Sequence, residues 1–360
     1  MPRLEPRAQP SRWMALASPL VALALTALFA ALLFAALGKD PLRGLALFFV
    51  EPLAGTRQIT EVLLKATPLI VIALGLAVCY RANVWNIGAE GQFLLGAVAG
   101  GGVALWLTTQ GIVWPRAVTV PLVLAAGVLG GMAWAAIVAL LRDRLNANEI
   151  LVSLMLVYVA QQVVNWLVFG PWKDPQGHNF PQTKTFDAST WLPPLIERTR
   201  LNVGVLVALA AVALVWLFMF RSYRGYQLQV GGLAPAAARY AGFSARGSLW
   251  TALMISGGLA GLAGAIEIAG PLRQLTPHIS TGLGFTAIIV VFVGRLHPLG
   301  TVFAGVLLSM MLIGGELGQS RLGLPNAISG VFQGLLLVLL LACDTLIHYR
   351  VRLRSAARQD

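Results

Sequence analysis

The sequence predicts an all-α, polytopic integral membrane protein. Of its 360 residues, 58% are hydrophobic and only 11% are charged, and the mean hydropathy is +0.77. A soluble domain of ordinary composition carries about 25% charged residues. The apolar residues also gather in runs of about 20, the length that a helix needs to cross a bilayer. We therefore expect about ten transmembrane helices, some of them discontinuous, in a single domain over residues 1–360.

The apolar runs divide the chain into spans and loops. The predicted spans cover residues 17–37, 61–80, 93–107, 118–141, 150–169, 203–220, 249–269, 301–315 and 327–347. A signal peptide is the alternative for the first run, but the apolar core of a signal peptide is usually only ~7–15 residues long. The 38 glycines and 19 prolines are typical of closely packed and interrupted membrane helices.

Basic residues lie between the apolar runs, and they predict which loops face the cytoplasm. The tails at residues 1–12 and 348–360 are rich in arginine, as is the loop 221–246. We expect these three segments inside the cell and the mixed-charge loop 170–200 outside. The net charge of +12 follows from this distribution. Membrane lipid is therefore the expected surrounding, and nucleic acid is not an expected partner.

A short helix is predicted within the loop 221–246. Pro235 suits a first helical turn, where its missing N–H has no intrahelical partner to lose. The helix formers that follow include Ala238, Arg239 and Tyr240. A short helix that carries arginine between two spans is suited to binding a cytoplasmic protein. An ordinary charged loop between two spans is the alternative.

Glycines are predicted to set the ends of this short helix. Gly242 stands where a left-handed residue would end it. Gly231 and Gly232 precede it, and they would let the chain turn into the helix.

Polar residues open the third apolar run. Residues 83–92 read NVWNIGAEGQ, with Asn86, Glu90 and Gln92 close to the apolar segment. A helix break leaves backbone N–H groups free to meet a polar solute, and a carboxylate at membrane depth is a candidate functional group. We expect these side chains to line a solute pathway or to support it. Alternatively, Glu90 only stabilises the positive end of a helix.

Gln161 and Asn165 share one face of a later span, because they are four residues apart. They are candidates for lining the same pathway. Polar contacts between packed helices are the alternative role.

The segment 282–294 is apolar but shorter than the ~20 residues that normally span a bilayer, and it follows a predicted outer turn at residues 270–281. The sequence GRLHPLG interrupts the chain directly after it. Such an interruption can mark the midplane of a transporter. Alternatively, Arg295 and His297 lie in an inner loop between a short span and a normal one, which is the topology we favour.

The sequence contains no signature of a catalytic, metal or cofactor site. It has no Walker A motif, no HExxH and no GxSxG. Its four histidines are scattered, and Cys79 and Cys343 lie far apart in apolar runs. We therefore predict a protein that is not itself an enzyme.

Four stretches resemble the signatures of one transporter family. They read RANVWNIGAEGQFLLGA, NANEILVSLMLVYVA, GGLAPAAARYAGFS and GFTAIIVVFVGRLHPLGTVFAG. Together they resemble permeases of ABC importers in the branched-chain amino acid/ribose superfamily, in its nucleoside and simple-sugar branch. His297 departs from the pattern, since asparagine commonly precedes the proline in this family, and the departure weakens any polar role at that position.

The resemblance implies a permease subunit of a binding-protein-dependent importer in a bacterial plasma (inner) membrane. Its solute would be a nucleoside, with ribose-like sugars as the alternative. It implies three partners: a separate ATPase subunit, a second permease subunit that is a copy or a paralogue, and an extracytoplasmic solute-binding protein. The residues expected to couple to the ATPase are Gly232, Pro235, Ala238, Arg239, Tyr240 and Gly242. The residues expected at the solute pathway are Asn86, Glu90, Gln92, Gln161 and Asn165.

Two other classes of protein remain open on the residues alone. An ion-coupled secondary transporter would use Glu90 and Glu267 as carriers of protons or cations. A membrane scaffold would transport nothing, so that removing it would leave solute uptake unchanged.

Overall fold

Thirteen α-helices form most of the regular structure in the computed structural model, which describes residues 2–6, 12–325 and 327–353. In chain order they are α1 (Arg12–Ala36), α2 (Pro41–Phe49), α3 (Thr56–Arg81), α4 (Ala89–Thr109), α5 (Arg116–Leu145), α6 (Glu149–Phe169), α7 (Gly204–Arg221), α8 (Tyr223–Leu233), α9 (Pro235–Tyr240), α10 (Ala245–Glu267), α11 (Leu283–Val293), α12 (Pro298–Leu322) and α13 (Ala327–His348). Short 3₁₀ turns cover Glu51–Leu53 and Ala188–Thr190, and a π turn covers Ile268–Leu272.

Nine helices in the described part of the chain are long and apolar enough to cross a membrane. α11 is apolar but has only 11 residues, which is about 16 Å at the rise of an α-helix and about half of the bilayer core. It is the discontinuous member of the set. The prediction of an all-α polytopic protein with about ten spans, one of them broken, is confirmed in this form.

The two chain ends form the only pair of strands among the described residues. β1 (Pro2–Pro6) pairs antiparallel with β2 (Tyr349–Leu353), so that Pro2 lies opposite Leu353. The sequence predicts these tails only as basic segments and not as strands. Residues 1, 7–11 and 354–360 of those tails lie outside the described residues.

The chain forms two compact units. The first comprises residues 1–58 and 310–360, and the second comprises residues 59–309. In the first unit α1 packs along α13, and α2 joins them. Phe34, Phe48 and Phe332 meet there, with ring centroids 5.3–6.1 Å apart. All three side chains are almost fully buried, so this aromatic cluster forms the core of the first unit.

The second unit is built on the packing of α4, α5 and α10. Their glycines let the backbones approach within direct contact distance. A Cβ atom added to Gly131 would lie 2.7 Å from the Cα of Gly261, and one added to Gly261 would lie 2.9 Å from the Cα of Gly131. Small residues serve this purpose in membrane helices, since apolar side chains gain nothing by leaving lipid for a helix interface. Gly127 and Gly131, four residues apart on α5, both make this contact with Gly261 of α10.

Candidate functional site: a broken span and an exposed helix

The second unit contains a span that is only partly helical. α10 ends in the π turn Ile268–Leu272, and Arg273 then adopts a left-handed conformation, with φ of 58°. Residues 273–282 are not helical, and α11 begins after Gly282, whose φ is 90°. We call residues 273–293 the broken span. Its first part cannot satisfy its own backbone groups, which therefore require partners elsewhere in the protein.

The loop between α6 and α7, residues 170–203, supplies several of these partners. We call it the long loop. The backbone N–H of Thr183 donates to the oxygen of Leu275 at 3.0 Å, and that of Phe186 donates to Arg273 at 2.9 Å. Leu275 in turn donates to the hydroxyl of Thr183 at 3.0 Å. The guanidinium of Arg273 also lies 4.1 Å above the ring of Trp191. Residues 273–275, within the predicted outer turn at residues 270–281, are thus bound to the long loop.

Gln161 holds the next part of the broken span. Its Nε2 donates to the backbone oxygen of Pro277 at 3.0 Å and lies 3.4 Å from Oδ1 of Asn165. Asn165 donates to Gln162 at 2.9 Å. Gln161 lies 12 positions after Glu149, the first residue of α6, which places it about 18 Å along that helix. The non-helical backbone at Pro277 is therefore bound to α6 between its two ends, and the predicted outer turn at residues 270–281 is joined to the helix bundle.

Glu90 binds the start of α11. Its side chain is only 5% exposed, and Oε2 accepts a hydrogen bond from the backbone N–H of Gly284 at 2.6 Å. It also accepts from the Ser280 side chain and the Gly282 backbone. A Cβ atom on Gly284 would lie 2.6 Å from the Cα of Glu90, so the two helices touch here. The carboxylate thus satisfies N–H groups that open α11, where the helix dipole favours negative charge.

Asn86 and Gln92 bind each other and α10, away from the broken span. Asn86 Nδ2 donates to Gln92 Oε1 and to Ser256 Oγ, each at 2.9 Å, and Gln92 Nε2 returns a bond of 3.2 Å. The N–H of Gly88 donates to Asn86 Oδ1 at 3.0 Å. Both side chains are fully buried. Of the two roles expected for them, this geometry favours support of the pathway over contact with solute.

Replacing Glu90 with glutamine is expected to reduce solute uptake roughly tenfold, since an unmatched buried polar group costs about 1–3 kcal/mol. The glutamine amide has only one acceptor oxygen. Its NH₂ group would face the backbone N–H groups that donate to the Glu90 carboxylate in the wild type. The measurement is uptake of labelled solute by cells with equal amounts of the protein in the membrane. Glu197→Gln is the matched control, because Glu197 is exposed on the long loop. Uptake at the wild-type level would reduce Glu90 to a helix-end charge without a role in transport.

The predicted short helix is present as α9. It begins at Pro235 and ends at Tyr240, and Gly242 follows in the left-handed conformation, with φ of 77°. Ala238 faces inward and is 5% exposed, whereas Tyr240 is 97% exposed. Because the Tyr240 side chain is almost fully exposed to solvent, it does not contribute to the core of the second unit.

One expectation about this region was wrong. Gly231 and Gly232 do not form a turn, because both lie within α8, and the chain turns at Ala234 (φ −142°, ψ 74°). Gly232 instead packs on the end of α3. A Cβ atom there would lie 3.0 Å from the carbonyl carbon of Arg81 and closer still to its oxygen. The glycine is needed for close approach and not for a turn.

The residues after α9 anchor it to the second unit. Phe243 packs edge-on against Tyr223 and Tyr226, with ring centroids 6.2 and 6.3 Å away. Arg246 forms an ion pair with Asp143 at the end of α5, and Trp250 Nε1 donates to the same carboxylate at 3.2 Å. α9 is therefore anchored through the residues that follow it, while Tyr240 remains exposed.

Glu267, the other candidate ion carrier, lies near cationic groups. Lys65 and Arg200 are its electrostatic neighbours. Arg200 also binds Glu61 through two hydrogen bonds, at 3.0 and 2.6 Å.

A bundle of helices long enough to span a membrane, with one interrupted apolar segment and one exposed short helix, has the architecture of a solute permease. A family model described as the branched-chain amino acid transport system / permease component matches residues 58–341. The chain belongs to this family. It is a multi-pass membrane permease subunit of an ABC importer, and it is not itself an enzyme.

Three curated relatives are similar over most of their length. The glucose ABC transporter permease protein TsgB13 of Haloferax volcanii is 33% identical over 97% of this chain and 93% of its own. The guanosine ABC transporter permease protein NupP of Bacillus subtilis is 29% identical over 89% of this chain and 91% of its own. The nucleoside ABC transporter permease protein NupB of Lactococcus lactis is 28% identical over 86% of each.

Proposed function

We propose that this chain forms part of the solute pathway of a nucleoside importer and that α9 receives mechanical work from an ATPase subunit. The observation that carries the proposal is the exposure of Tyr240 beside Arg239 on an anchored helix. Tyrosine and arginine are the residue types that contribute most to protein interfaces. A rigid helix transmits a displacement, whereas a flexible loop would absorb it.

The relatives support two classes of solute. Two of them are named for nucleosides or guanosine and one for glucose. We favour nucleosides, and a simple sugar is the second candidate because the glucose permease shares the highest identity of the three. Both classes present ring hydroxyl groups, which suit a pathway lined by backbone and amide groups such as those around residues 273–282 and Gln161.

The assembly that this function requires has further members. An importer of this kind works with an ATPase and a binding protein, and we propose a second permease subunit, either a copy or a paralogue. We also propose that α9 and both chain ends face the cytoplasm of a bacterial cell. Arg221, Arg224, Arg239 and Arg246 surround α9, which agrees with that orientation. Cysteines placed at positions 237 and 197 should then react with an impermeant maleimide only from inside and only from outside, respectively.

Uptake by cells that express the importer tests the function. The probes are tritiated adenosine, guanosine and uridine, with labelled glucose and ribose in parallel. We expect saturable uptake of at least one nucleoside that survives an uncoupler and stops when ATP is depleted. Uptake that collapses with the uncoupler would instead identify an ion-coupled carrier, and unchanged uptake after deletion of the gene would identify a scaffold. Uptake of glucose or ribose alone would select the second candidate.

A further inference from the structure

At the end of the second unit that carries α9, the side chain of Arg81 joins two parts of the protein. Its Nε donates to the backbone oxygen of Leu296 at 2.9 Å, and its Nη1 donates to Oε1 of Gln229 at 3.1 Å. Leu296 lies in the turn that follows the broken span, and Gln229 lies in α8, shortly before α9. A planar guanidinium can hold both acceptors at once, which an ammonium group cannot do in the same geometry.

α8 is tied to Arg81 by its backbone as well. Gly232 lies so close to the carbonyl group of Arg81 that a methyl group does not fit between them. Gln229 also donates from Nε2 to the backbone oxygen of Met219, at 2.6 Å, which fixes its amide in the orientation that accepts from Arg81. A displacement of α8 therefore cannot leave the end of α3 unchanged.

The turn that Arg81 holds is strained. Arg295 and Leu296 both adopt left-handed backbone conformations, with φ of 55° and 54°. This conformation is unfavourable for a residue with a side chain, and it persists only where the surroundings hold it. The hydrogen bond from Arg81 to Leu296 is one such restraint. A turn held under strain can adopt a second geometry when its restraint moves.

Aromatic packing completes this junction. The Arg81 guanidinium lies 5.0 Å from the centre of the Phe220 ring. The centres of the Phe220 and His297 rings are 5.3 Å apart. Burial, and then the charge of Arg81, lower the pKa of His297. His297 is therefore neutral at pH 7 and does not repel Arg81.

We propose that Arg81 is the positioning residue that transmits the displacement of α9 to the broken span. The sequence of contacts runs from α9 through α8 to Arg81, and from Arg81 to the turn that ends α11. At its other end α11 is bound to Glu90, beside the candidate solute pathway. This inference rests on the proposed function, and it adds the link by which the ATPase would reach the pathway.

The test uses the complete importer, purified through a tag on this chain, with three measurements for each variant. These are recovery of the ATPase subunit, ATP hydrolysis, and uptake of the tritiated nucleoside that the wild type transports. The variants are Arg81→Gln, Gln229→Leu and their combination. Gly232→Ala and Gly231→Ala form a matched pair, because a Cβ atom on Gly231 meets nothing closer than Ser248 Oγ at 3.8 Å.

We expect Arg81→Gln and Gln229→Leu to bind the ATPase and hydrolyse ATP while uptake falls at least about fivefold, the lower range of a coupling energy. The double variant should be no worse than Arg81→Gln, since both changes break one connection. Gly232→Ala should lose uptake and Gly231→Ala should keep it. Uptake within twofold of wild type in Arg81→Gln or Gln229→Leu would overturn the proposal, as would loss of the ATPase subunit from both. Uptake by the wild type tests the proposed function separately. The wild type must take up a nucleoside, independently of the results for the variants.

Discussion

Replacing Arg239 and Tyr240 together with alanine is expected to abolish coupled uptake while the folded permease remains in the membrane. Tyr240 is 97% exposed, so its removal leaves no cavity. Ala238, which packs α9 onto the second unit, is unchanged. Interface residues of these types often contribute ≥ 2 kcal/mol each, so the pair is expected to weaken ATPase binding about a thousandfold.

The measurement is recovery of the ATPase subunit with the tagged permease, together with nucleoside uptake. Tyr158→Ala is the matched control, since Tyr158 is 64% exposed on α6 and not on α9. We expect the control to transport normally. If the α9 variant binds the ATPase and transports like wild type, α9 does not couple to the ATPase and the proposed role of this helix is wrong.

Replacing Gly261 with alanine is expected to destabilise the second unit strongly. Its added methyl group would lie 2.9 Å from both the Cα and the backbone nitrogen of Gly131, and closer still to the oxygen of Gly127. Overpacking a core usually costs about 1–3 kcal/mol, and the upper end applies here because backbone atoms cannot move aside as a side chain can.

Thermal unfolding of the detergent-solubilised protein measures this effect, with the amount of monodisperse protein as a second value. Gly330→Ala in α13 is the control, because a Cβ atom there meets nothing within 4 Å. Alanine favours a helix over glycine by about 1 kcal/mol, so the control is expected to be as stable as wild type or slightly more so. Equal stability of the Gly261 variant would show that α4, α5 and α10 are not in backbone contact.

The spans and α9 were predictable because their signals are local. A run of about 20 apolar residues indicates a membrane helix in any fold. Likewise, Pro235 and Gly242 favour the start and the end of α9 through their own backbone conformations. Glu90 does lie in the first turn of α4, where the alternative interpretation of NVWNIGAEGQ had placed it.

The hydrogen-bond partners of residues 273–282 were not predictable, because they are distant in sequence. Thr183 and Leu275, for example, are 92 residues apart. Nothing near residues 270–281 indicates that Gln161 and the long loop satisfy their backbone. The turn predicted at the glycines of α8 was wrong for a related reason. Glycine is favoured both in a turn and where two backbones approach closely, and only the contact with Arg81 shows that the second reason applies here.

In the sequence, Arg81 directly follows the apolar run 61–80, and such a position indicates only the inner end of a span. Its position directly before NVWNIGAEGQ is the one signal that could have drawn attention to it. Its two hydrogen-bond partners lie 148 and 215 residues away along the chain. The pathway role of Asn86, Gln92 and Asn165 remains a prediction.

The hydrogen bonds between the long loop and residues 273–275 have a consequence for exchange with solvent. The amides of Thr183, Phe186 and Leu275 are donors in one shared set of bonds. Neither segment can expose them without releasing the other, so we expect the three amides to exchange deuterium together, as one cooperative opening unit. A partner that binds the long loop would slow deuterium exchange at all three amides at once. It would thereby also restrain the broken span, which is followed by the turn that Arg81 binds.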